Sequence, residues 1–291
     1  MTFRQTLLLI LISAIWGSSF IFMKVLVPIF GIAMTSSFRL LSASLFLLIL
    51  FVFQKYKINW RKNYLIFIVI GIGNSAIPFF LYSFAAQYID ASISVILNST
   101  APMFGAIFSY LIVKEKLGYQ KIFGLIIGFV GVGVITSFSF GGNSNEVTLS
   151  IVSCITAAAF YGLSGVITKK YAMHIEAKEL TAGSLLFAGV SLIPFILIFP
   201  IRGEVSISAS LLVVVFGVLC TSIAYLIYYY LIKQVGAVKA LTVTYLMPVF
   251  GILWSFIFLE ENITLSVIVG LIIILIGIFL INSRRKLVKS L

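Results

Sequence analysis

Pro102 and Pro248 each interrupt a long apolar run, and each follows a cluster of polar side chains. These are Asn98, Ser99 and Thr100 before the first, and Thr242, Thr244 and Tyr245 before the second. A proline inside a helix has no N–H for the carbonyl four residues back, so the carbonyls of Asn98 and Thr244 are freed. In an apolar medium such backbone is tolerated only inside protein or against a cavity. The chemistry on offer is hydrogen bonding to a polar solute. This makes Asn98, Thr100, Pro102, Thr244, Tyr245 and Pro248 candidate solute-binding positions. The competing reading is an ordinary kink whose freed groups are satisfied by neighbouring hydroxyls.

A second set is aromatic and hydroxylic. Thr221, Tyr225 and Tyr228 are spaced by four and three, which puts them on one helix face. Asn74, Pro78 and Tyr82 occupy the corresponding stretch earlier in the chain, and Trp16, Ser19, Tyr161 and Ser164 are further candidates. Unpaired hydroxyls are costly in hydrocarbon, so Tyr225, Tyr228, Tyr82, Asn74, Trp16 and Tyr161 are expected to face the interior and bind solute. Packing between helices, or a place in an interfacial aromatic belt, is the alternative, and it is favoured for Tyr229 and Tyr230.

Arg39 is the one clear charge within an apolar run, and intramembrane charges are functional suspects. The favoured reading is a structural or gating ion pair with Glu261 or Glu260. Neutralisation of a substrate carboxylate, or snorkelling to the interface, are the alternatives. Glu115 and Glu261 end equivalent helices; a loop carboxylate paired with a nearby lysine is the simpler reading, a gate the sharper one. All eight acidic residues fall in expected loops or helix ends, and His174 falls in a loop. Proton relays in carriers draw on buried acids or histidines, so transport is expected to be facilitative, or coupled to protons through a peripheral group. Cys154 and Cys220 lie in apolar runs and read as small core residues. No catalytic cluster, metal site or cofactor motif is present, so no enzyme activity and no cofactor are expected.

The elements that must position these residues are membrane helices. The 291 residues are 62% hydrophobic and 10% charged, with a mean hydropathy of +1.20, whereas soluble domains carry about 25% charged residues. Ten spans of the length a bilayer needs are expected: Gln5–Val27, Ala33–Phe53, Tyr64–Ala86, Ala91–Val113, Tyr119–Phe138, Leu149–Tyr171, Leu180–Phe199, Ala209–Ile232, Gly236–Leu259 and Ile263–Ile281. With the N-terminus inside, the inner loops collect cations such as Lys55, Arg61, Lys114, Lys121, Lys170 and Lys178, and the C-terminal tail adds Arg284, Arg285, Lys286 and Lys289. The outer loops keep Arg202, with Lys24 near a helix end. This is the positive-inside pattern. It explains the net charge of +12 without nucleic acid and predicts a multi-pass protein of the cytoplasmic membrane with both termini cytoplasmic.

One fixed, gapless offset carries Gly71 onto Gly217, Tyr82 onto Tyr228, Ala91 onto Ala237, Pro102 onto Pro248, Gly105 onto Gly251, Ser109 onto Ser255, Glu115 onto Glu261, Gly124 onto Gly270 and Gly131 onto Gly277. An offset one residue shorter pairs Gly17 with Gly162 and Lys24 with Lys169. A long fixed period reads as a duplicated half. Five helices per half is odd, so the copies cross the membrane in opposite senses, the architecture of alternating-access carriers. The expected fold is all-α, with one five-helix repeat over residues 1–138, an inverted one over 148–283 and a basic tail over 284–291. The Gly124/Gly128 pair is expected to pack within one chain rather than form a dimer seam; monomer and homodimer both stay open.

The segments WGSSFIFMK, NSTAPMFGAIFSYLIVKEKLGYQKIFGLIIGFVGVGVI and VGAVKALTVTYLMPVFGILWSFIFLEENITLSVIVGLIIILIGIFL resemble EamA-type carriers of the drug/metabolite transporter superfamily, and the resemblance covers nearly the whole chain. It implies a ten-helix inner-membrane carrier, often an exporter of amino acids or related metabolites. The lining itself suits a zwitterionic or weakly polar small molecule and disfavours phosphate esters, which want several cations. A membrane-embedded lipid-modifying enzyme and a channel are the alternative classes.

Overall fold

The structure, a computed structural model, describes residues 1–139, 145–201 and 203–282, with the side chains of 137–139, 237 and 238 outside the description. Arg202 and the basic tail 284–291, both part of the expected charge pattern, lie outside the described residues. Every regular element among the described residues is helical. In chain order these are α1 (Phe3–Phe53), α2 (Trp60–Ala85), α3 (Ala91–Val113), α4 (Tyr119–Ser139), α5 (Asn145–Tyr171), α6 (Ala177–Leu197), α7 (Ile207–Val235), α8 (Val243–Leu259) and α9 (Leu265–Asn282). Eight of them are long and apolar enough to cross a membrane; α8, with 17 residues, is shorter.

The helix α1 contains 51 residues, about 76 Å if straight and more than twice a hydrocarbon core of about 30 Å. It is not straight. Pro28 lies inside it, and Gly31 has φ 75° and ψ 172°, a conformation open to glycine at little cost. A Cβ at Gly31 would also stand 2.6 Å from the Pro200 carbonyl oxygen. The expected helices Gln5–Val27 and Ala33–Phe53 therefore form one run broken at a single non-helical residue. At its start, Thr2 and Gln5 close a capping box, which satisfies two N–H groups that a helix start otherwise leaves open.

Two elements are built the same way in both halves of the sequence. Ile72–Ala76 inside α2 and Val218–Ile223 inside α7 are wound as wider π turns, and the repeat offset superposes them. Single-turn π-bulges are rare and cluster at functional sites. Past the ends of α3 and α8, Lys114 (φ 61°) and Glu260 (φ 54°) are both left-handed. Glu115 N then donates to the Ser109 carbonyl at 3.2 Å, and Glu261 N to the Ser255 carbonyl at 3.3 Å. The two glutamates thus leave identical turns.

Close approaches are also duplicated, with the halves exchanged. A Cβ on Gly17 of α1 would lie 2.8 Å from Gly251 N of α8, and one on Gly162 of α5 would lie 2.5 Å from Gly105 N of α3. The helices α4 and α9 pack along each other through Gly124, Gly128 and Gly277: a Cβ on Gly277 would meet the Gly124 carbonyl oxygen at 2.6 Å and Gly128 N at 2.7 Å. The GxxxG pair works within the chain, as expected.

The proline breaks differ between halves. Ser99 and Thr100 form a turn that divides α3 just before Pro102. In the second half the expected helix Gly236–Leu259 is split earlier, at Leu241 and Thr242, after a short turn of helix Ala237–Ala240. Pro248 then sits inside a continuous α8.

Candidate functional site

Hydrogen-bonded helices with their N–H groups spent internally leave only side chains to line an interior space. A cavity of about 220 Å³ lies between the halves, reached by α1, α2, α3, α5, α7 and α8. Its wall includes Trp16, Ser19, Phe20, Arg39, Phe79, Tyr82, Asn98, Ser99, Pro102, Tyr161, Cys220, Tyr225, Thr244 and Met247. Of the expected binding residues it gathers Trp16, Tyr82, Asn98, Pro102, Tyr161, Tyr225 and Thr244. The α3 break puts Asn98 and Ser99 here, and the π-bulge of α7 adds Cys220. At the break the Tyr82 hydroxyl donates to Asn98 Oδ1 at 2.8 Å, and Asn98 Nδ2 reaches Met247 Sδ at 3.8 Å.

The aromatic wall is made of exchanged pairs. Tyr82 stacks with Tyr161, ring centroids 6.2 Å apart, and Tyr228 packs on Trp16 at 5.2 Å. Each pair joins the third helix of one expected repeat to the first helix of the other. Trp16 also meets Tyr225 edge-on at 5.8 Å.

The other expected binding residues lie off the wall. Asn74, on the π-bulge of α2, stands behind it and donates to the Tyr225 hydroxyl at 3.4 Å. Tyr228 supports Trp16 from outside the lining. The Thr100 hydroxyl turns back onto the Leu97 carbonyl at 2.6 Å, which satisfies the turn rather than a solute. Pro248 is buried within α8. Tyr245 faces α9, donating to the Ile278 carbonyl (3.3 Å) and accepting from Asn282 (3.0 Å), because the earlier break in the second half rotates it off the seam. Tyr229, expected in an interfacial belt, instead stacks on Tyr225 at 5.9 Å and shares a 2.8 Å hydrogen bond with Thr181.

Arg39 requires a correction. It is 4% exposed, and among the described residues no carboxylate stands within ion-pair distance of it. The expected pairing with Glu261 or Glu260 is not made. Arg39 Nε donates to Thr221 Oγ1 at 3.0 Å and Nη2 to Ser19 Oγ at 3.4 Å. The guanidinium lies 3.8 Å from the Phe79 ring centre and 4.2 Å from that of Phe216. A long-range contact to Thr221 on the second π-bulge holds it inward, and no residue pattern announced that bulge.

Glu261 is spent elsewhere. Its Oε1 accepts from Ala91 N at 2.7 Å, and its Oε2 from Ser92 N at 3.1 Å and Ser92 Oγ at 2.7 Å. It thereby caps the open N–H groups at the start of α3 and meets the positive end of the helix dipole. Beside it Lys24 Nζ donates to the Ile89 carbonyl at 2.8 Å. Burial, and then the neighbouring Glu261 carboxylate, push Asp90 above the usual range, with Lys24 pulling the other way. Glu115, on the matching turn, forms a 2.5 Å ion pair with Lys169, and that hydrogen bond holds its carboxyl below the usual range. Its side chain is 40% exposed, whereas Glu261 as a residue is 9% exposed. Because α3 starts beside Glu261 and ends just before Glu115, the two carboxylates lie at opposite ends of that helical run.

Sequence reasoning also missed Glu179. Taken for a loop charge, it is 8% exposed on α6 and accepts from Asn59 N and Asn63 Nδ2, both at 3.0 Å, and from the Tyr56 hydroxyl at 3.3 Å. It fastens the α1–α2 connection.

Comparison with known proteins supplies the family. The profile of the EamA-like transporter family matches residues 4–137 and again 148–283. The uncharacterized transporter YvbV of Bacillus subtilis is 27% identical over 99% of this chain and 94% of its own length. An uncharacterized transporter of Archaeoglobus fulgidus is 27% identical over 97% of this chain and 100% of its own. A solved crystal structure, 16% identical, shares the fold with a TM-score of 0.66 over 96% of this chain and 97% of that one. Eight long apolar helices, a seam cavity and a family match over both halves lead to one conclusion: this multi-pass membrane protein belongs to the EamA-like transporter family.

Proposed function

We propose that the protein is a secondary carrier that moves a small organic metabolite across the cytoplasmic membrane by alternating access, with the seam cavity as its solute site. Counting α1 as two crossings and α8 as one gives ten, five in each of two oppositely oriented repeats over residues 1–138 and 148–283. The positive-inside distribution supports cytoplasmic termini. Export is the direction that the resemblance to EamA-type carriers favours.

The observation that carries this reading is the unlike use of two like carboxylates. Glu261 and Glu115 leave identical turns at opposite ends, yet Glu261 is buried as the cap of α3 while Glu115 is held at the surface by Lys169. A repeat pair with two equivalent ends has two equivalent conformations. This one is latched at the Glu261 end. In the other, Glu261 releases Ala91 and Ser92, and Glu115 leaves Lys169 to close the opposite end. The cavity-lining residues, including Asn98, Tyr82, Tyr161 and Tyr225, serve both states. Support also comes from the exchanged pairs Tyr82–Tyr161 and Tyr228–Trp16, since each ties one repeat to the other beside the cavity.

The test is exchange in proteoliposomes holding the purified full chain, with pooled labelled metabolites. A carrier gives saturable uptake that unlabelled internal solute accelerates. Uptake linear in concentration and indifferent to internal solute sinks the reading and favours a channel.

A further inference from the structure

The chemistry around Arg39 goes one step beyond the carrier reading and rests on it: we propose that the solute carries a single carboxylate on an uncharged, apolar or aromatic body, and that Arg39 is the residue that selects it. A guanidinium offers five N–H groups. Thr221 takes the Nε hydrogen and Ser19 one on Nη2, which leaves three donors. The rings of Phe79 and Phe216 hold the ion at 3.8 and 4.2 Å, so its position is set before a ligand arrives.

A charge this deeply buried is costly unless paired. Two neutral hydroxyls and two ring faces stabilise it without cancelling its charge. Arg39 lines the cavity, and no Asp or Glu does so among the described residues. The missing counter-charge is therefore one that a solute brings, and a planar carboxylate matches the guanidinium fork. The repeat offset carries Arg39 onto Leu185 and the shorter offset onto Ser184. The site is thus asymmetric within a symmetric frame and fixes which end of the solute faces the first repeat.

Size and lining limit the rest of the molecule. About 220 Å³ exceeds the roughly 150 Å³ that holds a benzene ring, leaving room for a carboxyl-bearing arm. Trp16, Phe20 and Tyr161 line the space for that body, and with no acid in the lining among the described residues a second, cationic group would lack an ionic partner.

The experiment is equilibrium binding to the full-length protein in detergent micelles. It uses phenylacetate against phenylacetamide, 4-methylpentanoate against its amide, and phenethylamine as the cationic control. The expected result is that at least one acid binds tenfold or more tightly than its amide, that phenethylamine binds no better than the amides, and that Arg39→Gln removes the preference for acid. Acids and amides binding alike, an amine binding best, or an acid preference that survives in Arg39→Gln overturns the proposal. If the variant does not fold, the acid-to-amide ratio of the wild-type protein decides alone. Because binding is read without transport, the outcomes separate: exchange of a neutral solute with no acid preference leaves the carrier standing and removes this inference. Acid binding without exchange does the reverse.

Discussion

Glu261 reaches across the seam to Ser92: one carboxylate oxygen accepts from both the hydroxyl (2.7 Å) and the backbone N–H (3.1 Å) of that serine, while the other takes Ala91 N. Three charge-assisted bonds at a site where the glutamate is 9% exposed join the two halves here. Glu261→Ala leaves two helix-start N–H groups without an acceptor, at a cost of about 1–3 kcal/mol, read as a fall in Tm. A Tm unchanged within a degree would show that the contact holds nothing.

The matching contact at the other end is weaker. Lys169 and Glu115 are 59% and 40% exposed in their side chains, and an exposed pair is worth about 0–1 kcal/mol. Glu115→Gln should therefore cost less stability than Glu261→Ala. The sign of its pH dependence follows from the depressed carboxyl: the stabilisation is present above the unfolded value of about 4.3 and is lost as pH falls through the lower folded value. Melting curves of wild type and Glu115→Gln should converge only in acid. Convergence near pH 7 would contradict the assignment.

Much of this was legible in the residues. The duplicated Gly, Pro and Glu positions, the apolar spans, and seven wall residues including Asn98 and Tyr161 follow from spacing and hydropathy alone. The two π-bulges were not legible, because no residue type in Ile72–Ala76 or Val218–Ile223 compels the extra residue per turn. Thr221 was missed as a partner of Arg39 for that reason, since it sits on the second of these bulges. Pro248 and Tyr245 were placed at the seam on the assumption that both halves break at the same point. The second half breaks instead at Leu241 and Thr242, and Tyr245 turns to α9. Loop composition could not show that Glu261 and Glu179 fold back as buried caps, because their partners are far away in sequence.

Hydroxyl deletions should separate wall from support. Tyr82→Phe removes a 2.8 Å bond to Asn98 at a side chain 2% exposed, leaving Asn98 Oδ1 short of its donor. Solute binding should weaken about tenfold, the equivalent of roughly 1.4 kcal/mol. Tyr228→Phe keeps the ring on Trp16 and should bind within about twofold of wild type. Equal losses in the two variants would contradict the division.

Backbone proximity sets a further prediction. Gly277→Ala forces a methyl to 2.6 Å from the Gly124 carbonyl oxygen and 2.7 Å from Gly128 N, and separating α4 from α9 should cost about 1–3 kcal/mol. Gly133→Ala, where a Cβ would meet nothing within 4 Å, is the control and should leave Tm unchanged or raise it. Similar melting temperatures for the two variants would count against the packing described.

Cys220 is a native reporter of the cavity: it lines the wall and is 1% exposed. In a Cys154→Ala background, a membrane-impermeant thiol reagent added to sealed vesicles of either orientation asks which face reaches it. Alternation predicts that Cys220 is modified from one face at a time, and that Glu261→Gln raises modification from the Glu261 face at the expense of the other. Equal modification from both faces of the same protein, or a pattern that Glu261→Gln leaves untouched, would contradict alternating access between the two halves.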